Sequence, residues 1–155
     1  MIKLELKVPP LILAIAFGIV IYLLPNPYRA NSLLLRPLSL ILFGAGGFIL
    51  LLAILKFRDK KTTVSPVNPH NSNQLVTEGV YKYTRNPMYL GFLIWLLSLG
   101  TILGNPASLI ILLIFVKYMN TFQIIPEERI LFDKFGEDYL LYKKSVPRWF
   151  CLKVF

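Results

Sequence analysis

The chain has 155 residues, enough for one domain; 55% of them are hydrophobic and the mean hydropathy is +0.61. That balance excludes an ordinary soluble domain, because the apolar residues fall in long runs with the charges gathered between them. The net charge of +9 flanks those runs and forms no separate basic module, which favours membrane lipids over nucleic acid as partners; the single Cys151 excludes an internal disulfide and a multi-cysteine zinc site.

Residues 1–7 carry Lys3 and Lys7 around Glu5, a short basic lead. Residues 8–24 are an apolar run, roughly 26 Å long as a helix and enough for a thin span. Pro9 and Pro10 suit its first turn, and Pro25-Asn26-Pro27 ends it. The run lacks a small-residue cleavage site and reads as a retained helix. A second span is predicted over 33–55, where Gly44, Gly46 and Gly47 let another backbone approach closely. Residues 56–61, K-F-R-D-K-K, are a basic stop. Residues 62–74 are polar and proline-broken and read as a loop. His70 lies there without cysteine or carboxylate companions, so it reads as solvated and no metal site is predicted. A third span over 88–103 and a fourth over 107–125 form a helical hairpin around the Gly104-Asn105-Pro106 turn. Lys117 falls inside the fourth span, where it either faces a cavity or partner or snorkels to the interface.

The predicted fold is thus all-α, a single polytopic membrane domain over 1–155 with about four transmembrane helices. The basic lead, residues 56–61, Lys82, Arg85 and the tail 143–148 fall on one side, against Arg29 and Arg36 on the other. The positive-inside rule places both termini and the central loop in the cytoplasm.

The remaining chemistry is concentrated in residues 75–91, L-V-T-E-G-V-Y-K-Y-T-R-N-P-M-Y-L-G. Gly79 permits a turn, and Pro87 starts a helix where a missing N–H costs nothing. Arg85 and Asn86 sit just before that helix start. Tyr81, Tyr83 and Tyr89 offer flat faces with polar tips, which by itself describes an interfacial aromatic belt with a basic anchor. A second cluster runs over 126–148, P-E-E-R-I-L-F-D-K-F-G-E-D-Y-L-L-Y-K-K-S-V-P-R. Glu127 and Glu128 follow Pro126 as helix-start charge, and the rest is amphipathic and basic, suited to a membrane surface.

Together these two stretches resemble the isoprenylcysteine carboxyl methyltransferase family and its phospholipid methyltransferase relatives, integral membrane enzymes that use S-adenosylmethionine. The shared pattern is a Leu-Val-x-x-Gly-x-Tyr loop, Arg-x-Pro-x-Tyr, a helical hairpin, paired glutamates and a Phe-Gly-x-x-Tyr-x-x-Tyr tail. The resemblance implies a cytoplasmic cofactor pocket below the hairpin. It implies cofactor contacts from Asn73, Gln74, Leu75 and Val76, from Tyr81, from Asn86, Pro87, Met88 and Tyr89, and from Glu127 and Glu128. The acceptor side would involve Arg85 and Gln123, and the acceptor would be a lipophilic small molecule or lipid. The tail would close over the pocket.

Two positions depart from the family pattern. Asn86 stands where a histidine is usual; it hydrogen-bonds but carries no proton charge near neutral pH. Gln123 stands where carboxyl-methylating members have an arginine, and it does not grip a carboxylate bidentately. Phospholipid amines, thiols and quinols therefore stand beside isoprenylcysteine as acceptors. A non-enzymatic membrane scaffold stands beside the enzyme, and cofactor binding separates the two.

Overall fold

The computed structural model describes residues 5–26, 32–59 and 75–150, and among these all regular structure is helical. Asn73, Gln74, His70, Cys151 and the whole 62–74 loop lie outside the described residues. The helices are α1 (Pro10–Leu23), α2 (Ser32–Asp59), α3 (Pro87–Leu103), α4 (Ser108–Met119) and α5 (Ile125–Ser145). Pro10 and Pro87 each occupy a first turn, as their fixed φ favours. Gly104 closes α3 in the left-handed conformation with φ 61°, and the hairpin turn follows.

Leu11, Ile15 and Ile19 of α1, Leu40, Ile41 and Phe48 of α2, and Leu109 and Leu113 of α4 all point outward and are exposed. Helices apolar on their outer faces as well as their inner ones are suited to lipid contact. Two helical stretches are long and apolar enough to cross a bilayer: Leu33–Lys56, with 24 residues, and Ser108–Ser145, whose 38 residues include a reversal at Gly136. α1 and α3 are equally apolar but shorter, at 14 and 17 residues.

α2 and α3 pack most closely. A Cβ on Gly46 would lie 3.0 Å from the Gly91 carbonyl oxygen and 2.6 Å from Trp95 Cδ1. A Cβ on Gly91 would lie 3.0 Å from the Gly46 oxygen in turn. The two glycines bring the backbones into contact, as small residues do between membrane helices. Of the three glycines expected to do this, only Gly46 does; Gly44 faces open space and Gly47 meets the Trp95 ring at ordinary distance.

The fourth predicted span ends at Ile125, but the helix does not. α4 passes through a π-turn, Asn120–Ile124, straight into α5. Pro126 lies in the first turn of α5 and supplies no N–H, and the wider turn before it absorbs the mismatch. The chain then reverses inside α5 at Gly136, whose φ of 52° and ψ of −124° suit a residue without Cβ. The two arms of α5 face each other across a cleft lined by Arg129, Phe132, Tyr139 and Lys143.

Two cores result. One joins Leu13 and Ile21 of α1, Leu96 of α3, and Leu112, Phe115 and Met119 of α4. The other joins Ala53 of α2 to Val76, Tyr81, Tyr139, Tyr142 and Val146, at the end of the bundle where the loop before α3 meets α5. Met88 packs against both. The N-terminal segment reaches the same end: Leu6 N–H donates to the Phe122 carbonyl at 3.0 Å, and Glu5 pairs with Arg129 at 3.5 Å. At the opposite end Asn105 Nδ2 donates to the Pro25 carbonyl at 3.2 Å, and Asn26 Nδ2 to the Leu103 carbonyl at 2.7 Å.

Candidate active site

The loop before α3 is shaped by a single 3₁₀ turn, Gly79–Lys82, entered through Gly79 at φ 62°. The turn buries Tyr81 and leaves Lys82 and Tyr83 outside. Tyr142, from the returning arm of α5, donates its hydroxyl to the Tyr81 carbonyl at 2.8 Å. Leu75 and Val76 pack into the same core. Loop and tail are thereby fixed to each other by a buried hydrogen bond and an apolar cluster.

The next residues are held by a strap formed by residues 146–150. Arg85 N–H donates to the Pro147 carbonyl at 3.0 Å. The Arg148 carbonyl accepts from Asn86 Nδ2 at 2.8 Å and from Thr84 Oγ1 at 3.2 Å. Asn86 precedes α3 without capping it, because its side chain is turned to the strap. Trp149 anchors the strap's far end by donating from Nε1 to Asn120 Oδ1 at 3.0 Å.

The hairpin brings the starts of α3 and α5 together. Tyr89, buried in the first turn of α3, donates its hydroxyl to Glu127 in the first turn of α5. The neighbouring Glu128 is wholly engaged. Arg148 binds it bidentately at 2.9 and 3.0 Å, Arg85 Nη1 lies 2.9 Å away and Lys143 3.3 Å. Arg85 Nη1 also donates to the Tyr139 hydroxyl at 3.1 Å. Burial works to raise the Glu128 carboxyl, but the Arg148 hydrogen bonds and the charges of Arg85, Arg148 and Lys143 outweigh it and hold the group below its ordinary value. Glu127, past the apolar segment and without a cation among the described residues, is pushed up to about 8 by burial; the Tyr89 hydrogen bond opposes the rise and the Glu128 charge adds to it. Arg85 Nε is buried and has no hydrogen-bond partner among the described residues.

Leu75, Val76, Tyr81, Asn86, Pro87, Met88, Tyr89, Glu127 and Glu128 therefore gather at one end of the bundle. Gln123 sits at that end too, buried, but its Nε2 donates to the Val8 carbonyl at 2.8 Å. Four participants escape a residue-by-residue reading of the sequence: Thr84, Tyr139, Tyr142 and Arg148. The spacing of the two tail tyrosines after Phe135-Gly136 was their one visible signal.

A sequence model of the phospholipid methyltransferase family matches residues 35–138. Protein-S-isoprenylcysteine O-methyltransferase of Schizosaccharomyces pombe is 43% identical over 74 residues, 47% of this chain and 31% of that protein. Protein-S-isoprenylcysteine O-methyltransferase A of Arabidopsis thaliana is 36% identical over 108 residues, 70% of this chain and 55% of that one. An uncharacterized Haemophilus influenzae protein is 44% identical over 62 residues, 40% of this chain and 98% of its own length. The matches thus span about a third to about half of the two named methyltransferases.

Proposed function

This chain belongs to the phospholipid methyltransferase family, and from that premise we propose that it transfers the methyl group of S-adenosylmethionine to a lipophilic acceptor dissolved in the membrane. The observation that carries the proposal is the Tyr89–Glu127 hydrogen bond, which closes the α3–α4 hairpin against α5 directly beside the loop bearing Tyr81.

The residues present fit such a cofactor. Leu75, Val76 and the Tyr81 ring offer an apolar and aromatic cover for adenine, and Asn73 and Gln74 precede them in the chain. Glu127 is a carboxylate held by one phenol, with acceptor capacity left for ribose hydroxyls. Pro87 and Met88 with the Asn86 backbone form the floor at the start of α3. Glu128 takes a different part from the one its position suggests: saturated by three cations, it holds Arg85 and the strap in place. The orphaned Nε–H of Arg85 is a donor for an oxygen of the acceptor's head. Gln123 has one amide N–H engaged with Val8, so its part toward the acceptor runs through its carbonyl oxygen and its second N–H.

Leu75, Val76, Tyr81 and Glu127 would hold S-adenosylmethionine, which would supply a methyl carbon already activated by a positive sulfur. The protein's work is alignment and exclusion of water. Tyr89 and Glu127 fix two helices to a common geometry. The strap covers residues 84–86, and the Tyr81–Tyr142 contact fixes the loop. An apolar groove of about 370 Å³ between α1, α2 and α3, lined by Ile15, Phe43, Phe92, Trp95 and Leu99, suits the hydrocarbon of the acceptor. We read all four long apolar helices as spans, with both termini and the cofactor loop on the cytoplasmic side, where the soluble cofactor is found.

Isothermal titration of S-adenosylhomocysteine into the detergent-solubilised protein tests this. Wild type is expected to bind. At pH 9, where Glu127 is ionised, Glu127→Gln keeps shape and removes a charge-assisted hydrogen bond contributing roughly 1.5–3 kcal/mol, so affinity falls by about 10- to 150-fold. Tyr89→Phe frees Glu127 from its partner and weakens binding less. Unchanged affinity in Glu127→Gln removes that residue from the pocket. No binding by wild type returns the chain to a non-enzymatic scaffold.

A further inference from the structure

We propose that the groove between the last turns of α2 and the 3₁₀ turn binds the head of an anionic phospholipid. This site lies on the far side of the turn from Tyr81 and does not rest on the methyl-transfer reading.

The groove measures about 570 Å³ and is lined by Leu52, Leu55, Lys56, Val80, Lys82 and Tyr83. Lys56 ends the 24-residue apolar stretch of α2, so the groove lies at the depth where acyl chains give way to headgroups. Its walls follow the same gradient. Leu51 and Leu55 are exposed on the last apolar turns of α2, offering a track for a chain, while Lys56, Lys82 and half-exposed Tyr83 stand at the polar rim. An exposed tyrosine beside lysines is the usual furniture of that interface.

The lysines are set in position by the fold. The stem of Lys56 crosses the Gly79 turn, with Cε 3.1 Å and Cγ 3.3 Å from where a Gly79 Cβ would stand. Any side chain at Gly79 would push that stem away. Lys82 reaches the groove from the other wall, because the turn that buries Tyr81 leaves its neighbour outside. The two charged residues described at its lining, Lys56 and Lys82, are both cationic. The chemistry selects a phosphate with no compensating ammonium. A lipid seated there would bridge α2 to the loop that carries Tyr81.

Native mass spectrometry of the purified protein, equilibrated with equal amounts of palmitoyl-oleoyl phosphatidylglycerol and phosphatidylcholine, tests the proposal. Wild type is expected to retain phosphatidylglycerol preferentially. Lys56→Gln and Lys82→Gln should each cut that preference about fivefold, and Lys56→Arg with Lys82→Arg should keep it. Lys117→Gln and Lys144→Gln, elsewhere on the surface, should leave it unchanged. Glycerol 3-phosphate should not displace the lipid, since it lacks the chains. An undiminished preference in Lys82→Gln, whose exposed side chain is expendable for folding, overturns the proposal. So does an equal loss in the Lys144→Gln control, which would mean a diffuse basic surface, or displacement by glycerol 3-phosphate.

Discussion

Glu127 and Glu128 are adjacent in sequence and sit in opposite electrostatic surroundings. Glu128 has three cations and is held ionised; Glu127 has one phenol and a raised carboxyl. Environments that push two carboxyl groups apart divide their work, and under the proposed function Glu128 holds the scaffold while Glu127 meets the ligand. The division predicts a pH dependence. Hydroxyl donors favour the ionised form of Glu127, so S-adenosylhomocysteine affinity should rise with pH and level off above about 8. The ligand titrates as well, so the quantity to measure is the ratio of wild-type to Glu127→Gln affinity. That ratio should be largest near pH 9 and shrink by about tenfold per unit below 8 until the neutral acid sets a floor. Without ligand the slope reverses. Between the ordinary carboxylate value and 8 the folded state keeps a proton that the unfolded chain releases, so Glu127's contribution to stability is present in acid and lost as pH rises. A ratio flat from pH 6 to 9 would mean that Glu127 is already ionised or lies away from the ligand.

At the scale of elements, the returning arm of α5 and the strap after it do the assembling. Glu128 fastens Arg148 from the strap, Arg85 from the loop and Lys143 from the arm. Removing it by Glu128→Ala strands the buried Arg85 guanidinium and should destabilise the protein by about 3 kcal/mol in a dodecyl sulfate titration followed by circular dichroism. Arg148→Ala should cost less, about 1 kcal/mol, because that side chain is partly exposed and its carbonyl still accepts from Asn86. Equal losses would mean that the strap, and not the buried Arg85–Glu128 pair, carries the stability. Much of this end was legible in the sequence. Pro87 and Pro126 mark helix starts by what proline lacks, and a short Gly-Asn-Pro turn returns the chain, so Tyr89 and Glu127 had to meet. Gly46 was legible as a contact point, but not its choice over Gly44 and Gly47, since helical phase depends on where α3 lies. The π-turn was hidden because periodicity is blind to one extra residue per turn. The strap was hidden because its bonds use the backbone carbonyls of Pro147 and Arg148, which no side-chain pattern announces.

The whole molecule must reconcile helices of unequal length. α2 exceeds the hydrocarbon thickness, whereas α1 and α3, at roughly 21 and 26 Å, fall short of the usual 30 Å. The short helices nonetheless run the full distance between the same two ends. Asn105 and Asn26 tie α1 to the α3–α4 turn at one end, and Leu6 ties its leading residues to Phe122 at the other. If all four span as we propose, helices fastened at both ends share one depth, and a bilayer thinned locally by a few ångströms, with lysines snorkelling at its rim, accommodates them. The topology we propose has the Gly104 turn outside and the loop before α3 inside. In a Cys151→Ser background, Pro106→Cys stands on the exposed side of that turn and Asn68→Cys in the central loop. An impermeant maleimide added to intact cells should label Pro106→Cys, and should label Asn68→Cys only after permeabilisation. Labelling of both from outside would mean that the α3–α4 hairpin does not cross, leaving α3 as an interfacial helix. Labelling of Asn68→Cys alone would keep the hairpin but invert the molecule, putting the Tyr89–Glu127 end away from the cytoplasmic pool of S-adenosylmethionine.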